Sequence, residues 1–88
     1  MPKPTHAVLV SNIPVTFALP SKAGAYEVYN TCPEWVYIAA GESVSIPAPG
    51  KPGGYPIGPG ERVMITFDKP KASAIVHSLG GFLYITQV

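Results

Sequence analysis

Along residues 62–67 (RVMITF), Val63, Ile65 and Phe67 alternate with Arg62, Met64 and Thr66. A strand here has one apolar face and one mixed face. Glu42–Ile46 (ESVSI) alternates likewise, and Ala25–Asn30 (AYEVYN), rich in aromatic and β-branched residues, Ser73–Ser78 (SAIVHS) and Phe82–Gln87 (FLYITQ) also predict short strands. Trp35–Ala40 (WVYIAA) is apolar at every position, the pattern of a central strand buried on both faces. Nowhere does an apolar i, i+3, i+4, i+7 pattern run long enough for a helix.

Proline and glycine punctuate these runs. Pro56, Gly58, Pro59 and Gly60 form a rigid turn opening the 62–67 strand, because proline fixes φ and removes a donor while glycine accepts positive φ. The stretch Pro47–Gly60 holds five prolines and five glycines and predicts a loop too long for a tight hairpin. Leu79-Gly80-Gly81 predicts a hairpin turn between the last two strands. Residues 1–24 differ: Pro2, Pro4, Pro14 and Pro20 interrupt short apolar pieces, predicting an extended N-terminal arm or one or two edge strands that end at a Ser21–Gly24 loop. The expected organisation is an arm over 1–24 and a β-sandwich domain over 25–88. The fold class is all-β, a small antiparallel β-sandwich or barrel, jelly-roll-like.

Composition changes this picture in one respect. The chain has 88 residues, enough for one core, and only 12% are charged, against about 25% in an ordinary soluble domain. A surface so poor in charge predicts cover by further copies of the chain or by a larger partner. The net charge of +1 and the scatter of Lys and Arg over positions 3, 22, 51, 62, 69 and 71 leave no basic footprint for nucleic acid. Cys32 is the only cysteine, so no internal disulfide can form, and the chain suits a reducing compartment. MPKPTHAVLV is too short an apolar run for a signal peptide, and no run reaches a membrane span, so the sequence predicts a soluble, unprocessed protein without membrane contact.

Candidate chemistry is thin. The five acids Glu27, Glu34, Glu42, Glu61 and Asp68 fall in no paired motif, and Glu61 and Asp68 read as turn residues at either end of one strand. His6, His77 and Cys32 lack the spacing of a zinc site. Ser78 beside His77, with Asp68 nearby, supplies the residue types of a hydrolase triad, but adjacent strand residues point to opposite faces and no nucleophile elbow is present. GKPGGYPIGPG lacks the Ser/Thr and glycine spacing of a P-loop, and its prolines remove the N–H groups a phosphate cradle needs. No cofactor is expected, and the chain reads as a non-enzyme. The aromatics Tyr26, Tyr29, Trp35, Tyr37, Phe82 and Tyr84 have Val, Ile and Ala neighbours and predict core or protomer interface, with Tyr55 the one expected to be exposed. The PxxP spacings Pro49–Pro52 and Pro56–Pro59 fit a turn-rich protomer contact. The candidate interface is therefore Tyr55, Pro56, Ile57, Pro59, Arg62 and Trp35.

The segments YEVYN, WVYIAAGES, GYPIGPGERVMITF and SAIVHSLGGFLYITQV, spread over Tyr26 to Val88, 63 of 88 residues, resemble small tailed-bacteriophage virion proteins of the head-decoration or cement type. In that group a V-N-T strand leads to a W-V-Y strand, a P-I-x-P-G turn opens the next, and the last pair ends in G-x-L-Y-I-T. The resemblance implies a β-sandwich that multimerises, a trimer being favoured, on the major capsid protein at the virion surface after synthesis in the host cytoplasm. It implies no enzymatic role. Two other classes stay open: a small carbohydrate-binding module built on Tyr55 and neighbouring aromatics, and a tail or adaptor subunit of the same particle.

Overall fold

In the computed structural model, which describes residues 5–19 and 24–88, eight strands form two four-stranded antiparallel sheets packed face to face. The strands are β1 (Thr5–Val10), β2 (Val15–Ala18), β3 (Gly24–Asn30), β4 (Val36–Ala40), β5 (Tyr55–Ile57), β6 (Arg62–Phe67), β7 (Lys71–Val76) and β8 (Gly81–Gln87). One sheet has the order β1-β8-β3-β6 and the other β2-β7-β4-β5. Every connection except β4–β5 crosses from one sheet to the other. This is the double Greek key winding of a jelly roll, and it is the all-β sandwich expected from the sequence.

The period of two decides what each strand buries. From β3, Tyr26, Val28 and Asn30 point inward; from β8, Leu83 and Ile85; from β7, Ala72, Ala74 and Val76; from β4, Val36 and Ile38. Tyr26 and Phe67 fill the wide part of the core with ring centroids 5.8 Å apart, while the alanines of β7 let the sheets approach closely. Val8, Val15, Phe17, Val63 and Ile65 close the flanks.

The described part of residues 1–24 forms edge strands: β1 borders one sheet and β2 the other, and Val10 and Leu19 belong to the core. The rest of the arm expected over 1–24, residues 1–4 and 20–23, lies outside the described residues.

Four expectations are corrected. Glu42–Ile46 is not a strand. Both sides of β4 are already taken by β7 and β5, so this run keeps a single ladder-like bond, Gly54 N–H to the Ser45 carbonyl at 2.8 Å. Leu79-Gly80-Gly81 does not close a hairpin, because β7 and β8 lie in different sheets. It is a crossover that passes so close to β1 that a Cβ on Gly80 (φ 80°) would overlap the Val10 carbonyl oxygen. Pro47–Gly60 is more than a loop, since it contains β5 and a tight Ala48–Lys51 bridge around Pro49-Gly50, where proline at i+1 and glycine with φ 76° at i+2 suit a type II turn. Trp35 lies before β4 and is half exposed, and β4, although central, buries only its Val36–Ile38 face completely.

Candidate interaction surface

The six residues singled out from the sequence do not form one patch. Ile57 is fully buried between the sheets and contributes nothing to the surface. Tyr55 (58% exposed) and Pro56 lie on the short edge strand β5, with Pro56 opposite Tyr37 on the outer face of its sheet. Trp35 (48% exposed) lies beside Gly58, on which a Cβ would come within 3.3 Å of the indole, and Pro59 is exposed in the same turn. Arg62 belongs to the outer face of the other sheet.

That outer face is the most distinctive surface of the molecule. Cross-strand partners share a face, so the register places Thr5, Ala7 and Leu9 of β1 beside Thr86, Tyr84 and Phe82 of β8. Next come Glu27 and Tyr29 of β3, then Met64 and Arg62 of β6. Leu9 is 64% exposed, Met64 60% and Phe82 48%. Three rings run across the middle: Phe82–Tyr84 and Tyr84–Tyr29 each have centroids 6.4 Å apart at 29°. The Arg62 guanidinium ends the row 4.2 Å above the Tyr29 ring and 3.7 Å from Glu27, so the two charges of the face neutralise each other. No described strand packs over it. The opposite sheet is different: the chain after β4 folds over its outer face, where Ser73, fully buried, donates to the Gly41 carbonyl at 2.8 Å and the Thr16 hydroxyl reaches the Glu42 carbonyl at 3.4 Å.

Two polar clamps hold the end of the sandwich from which this face rises. Buried Asn30 donates from its amide nitrogen to the carbonyls of Ile57 (2.9 Å), Glu34 (3.0 Å) and Gly58 (3.1 Å), and its amide oxygen accepts from Cys32 N–H at 2.8 Å. Its backbone adds Asn30 N–H to Glu61 O and Gly60 N–H to Asn30 O. One residue thus fixes the turn after β3 to the Pro56–Glu61 turn, which Glu61 also closes by accepting from Gly58 N–H. The second clamp is Glu34. Its carboxylate accepts the backbone N–H of Ser78 (3.0 Å), Leu79 (2.7 Å) and Gly80 (2.9 Å) and the Ser78 hydroxyl (3.3 Å), filling an anion-binding nest made of consecutive backbone donors. The Gly80 N–H has the largest effect on the Glu34 carboxyl; burial opposes it, and the Leu79 and Ser78 donors add to it, so the carboxyl is held below its ordinary range. Burial first, and the Glu34 charge second, push the Cys32 thiol up.

The clamps explain where the residues of the supposed triad lie. Ser78 is engaged by Glu34, while His77 packs edge-on against Tyr37 with Nε2 3.5 Å from its hydroxyl. Among the described residues no three His, Cys, Asp or Glu side chains gather as a metal site requires. An open depression of about 440 Å³ between Ala39, Val44, Ser45, Pro52 and Gly54 has no titratable lining residue.

The outer aromatic face had a signal in the sequence: Phe82, Tyr84 and Thr86 alternate with Leu83 and Ile85, so one apolar set had to face away from the core. Asn30 and Glu34 carried none, because the partners that tie them to other elements lie 27 to 46 residues away: Ile57 and Gly58 for Asn30, and Ser78, Leu79 and Gly80 for Glu34. Compared with protein-family models, with curated proteins and with solved structures, the chain matches none of them.

Proposed function

We propose that this chain is a non-enzymatic structural subunit of a bacteriophage virion, which decorates or cements the capsid by contact alone and self-associates, a trimer being favoured. The major capsid protein is its partner, and the capsid surface its final location. One observation carries the reading: a neutral face of aromatic and apolar side chains stands open on a chain with only 12% charged residues. Exposed aromatics and an arginine with few other charges are the composition of interface cores. The jelly-roll winding is used by capsid proteins, and equally by lectins and cupins, so it agrees with the reading by analogy only.

The test is co-sedimentation of the purified protein with capsids that lack it. Capture at a fixed copy number is expected, and truncating Phe82 and Tyr84 together to alanine weakens it at least about 30-fold, since a buried interface aromatic contributes about 2 kcal/mol or more. No capture, or capture indifferent to both truncations, refutes it. The row of three rings favours one other reading, stacking on the apolar face of a sugar. Quenching of tyrosine and tryptophan fluorescence by oligosaccharides, lost in Tyr84→Ala, would shift the assignment to that class.

A further inference from the structure

We propose that copies of this chain join head to tail through the two edges of the β1-β8-β3-β6 sheet, β6 of one copy pairing antiparallel with β1 of the next until the ring closes. The inference rests on the self-association proposed above and names its contact. The two sheets treat their edges differently. In the β2-β7-β4-β5 sheet the edges are blunted: β2 has four residues, and β5 has three with Pro56 in the middle. In the other sheet both edges, β1 and β6, are six residues long and free of proline. Edges of that kind are templates for further pairing unless covered.

The direction of the backbone groups can be followed from the bonds at the strand ends. Asn30 N–H bonds to Glu61 O, so with the alternation of an antiparallel ladder Val63, Ile65 and Phe67 bond to β3, and Arg62, Met64 and Thr66 turn their N–H and C=O to the open edge. Thr31 N–H bonds to Phe82 O and Val88 N–H to Ala25 O. By the same alternation Tyr84 and Thr86 face β3, Leu83 and Ile85 face β1, and Thr5, Ala7 and Leu9 turn to the other open edge. No described loop bonds to the outward backbone groups of either strand. On both edges the groups left open therefore belong to residues of the outer face. Pairing them continues that face from copy to copy and keeps both cores on the same side.

The side chains select a register. Placing Leu9 opposite Met64 joins two of the most exposed apolar residues of the face, which sit at its two opposite margins. On the inner side the same register sets Val8 against Ile65 and Val10 against Val63; Val8, Ile65 and Val63 are flank residues only half buried in one copy. Neither strand contributes a like-charge pair. Pairing β6 with β6 about a two-fold axis would leave β1 open, whereas head-to-tail pairing satisfies both edges, and a heterologous contact that closes gives a ring.

Sedimentation equilibrium of the full chain tests this, with no capsid present. A closed ring is expected, at three times the 9.3 kDa chain mass for the trimer. Leu9→Glu and Met64→Lys should each weaken association at least about tenfold, from the lost apolar burial and an unpaired charge, and the double variant should recover most of it. A monomer at all concentrations, a dimer indifferent to Leu9→Glu, or no recovery in the double variant overturns the proposal. Amide exchange provides a readout in the unmodified chain: the N–H groups of Met64, Thr66, Ala7 and Leu9 should become protected only as the protein associates. Rapid exchange of all four in the associated form also refutes it. Rings that do not add to capsids would sink the virion assignment alone, and monomers that do add would sink only the edge pairing.

Discussion

Asn30→Ala should be among the most damaging single substitutions in this protein, although Asn30 is an ordinary strand residue in the sequence. Its amide nitrogen serves three carbonyls and its oxygen one N–H, at 2.8–3.1 Å, with no exposure to solvent. Truncation orphans Cys32 N–H and the Glu34 carbonyl, while Gly58 O keeps the N–H of Glu61 and Ile57 O keeps its place in the β4–β5 ladder opposite Val36. An unsatisfied buried group costs about 1–3 kcal/mol, so these two, with the lost bonds to Ile57 O and Gly58 O, give a loss of about 3–5 kcal/mol. An 88-residue domain holds roughly 4–13 kcal/mol in total. With a urea m-value of about 1–1.5 kcal/mol/M the midpoint should fall by about 2–4 M. Asn30→Asp sharpens the test because it keeps the shape and places a carboxylate oxygen against the same carbonyls. At pH 7 it should be at least as damaging as alanine. Its folded-state pKa would be raised, since only the protonated acid can donate there, so the variant should regain stability as pH falls toward about 4. Urea midpoints for both variants within about 0.5 M of the parent at pH 7 would refute the assignment of Asn30 as the clamp.

Other outcomes follow from the same geometry. Glu34 is held below its ordinary carboxyl pKa by the Gly80, Leu79 and Ser78 N–H groups; a depressed folded pKa contributes stability that is complete above about pH 4.5 and lost as pH drops through the lower folded value. Glu34→Gln should therefore flatten the acid limb of a stability–pH profile, and an unchanged limb would remove Glu34 from the account. Gly80→Ala should cost more than 2 kcal/mol because it combines positive φ with overlap of the Val10 carbonyl, whereas Gly50→Ala, at φ 76° in open space, should cost only about 1 kcal/mol; equal melting points would contradict this. The Cys32 thiol, buried and with its pKa raised, should react with a thiol reagent only as fast as the chain opens. A rapid reaction in native buffer would show that the end of the sandwich is not closed.

Short runs rich in β-branched and aromatic residues between proline and glycine turns, with period-two alternation clearest in β6, determined the all-β class and placed β3, β6 and β8 to within a residue, because such runs fit a pleated, half-buried surface whichever sheet they join. Alternation separates two faces but does not say which neighbour a strand takes. Leu79-Gly80-Gly81 could serve a hairpin or a crossover. The crossover prevails because both neighbours of β8 are the non-consecutive strands β1 and β3, and because Glu34 holds the three N–H groups of the turn from 44 to 46 residues away. Trp35, read from the sequence as part of a doubly buried strand and also as a candidate interface residue, lies before β4 and is half exposed, since β4 begins one residue later. Tyr26 and Tyr29 are equally aromatic in the sequence. Only the pairing of β3 with β6 and β8 sends the first into the core and the second to the outer face, where it meets Tyr84 and Arg62. Local pattern specified the strands, and contacts between residues far apart in the chain decided which surface they present.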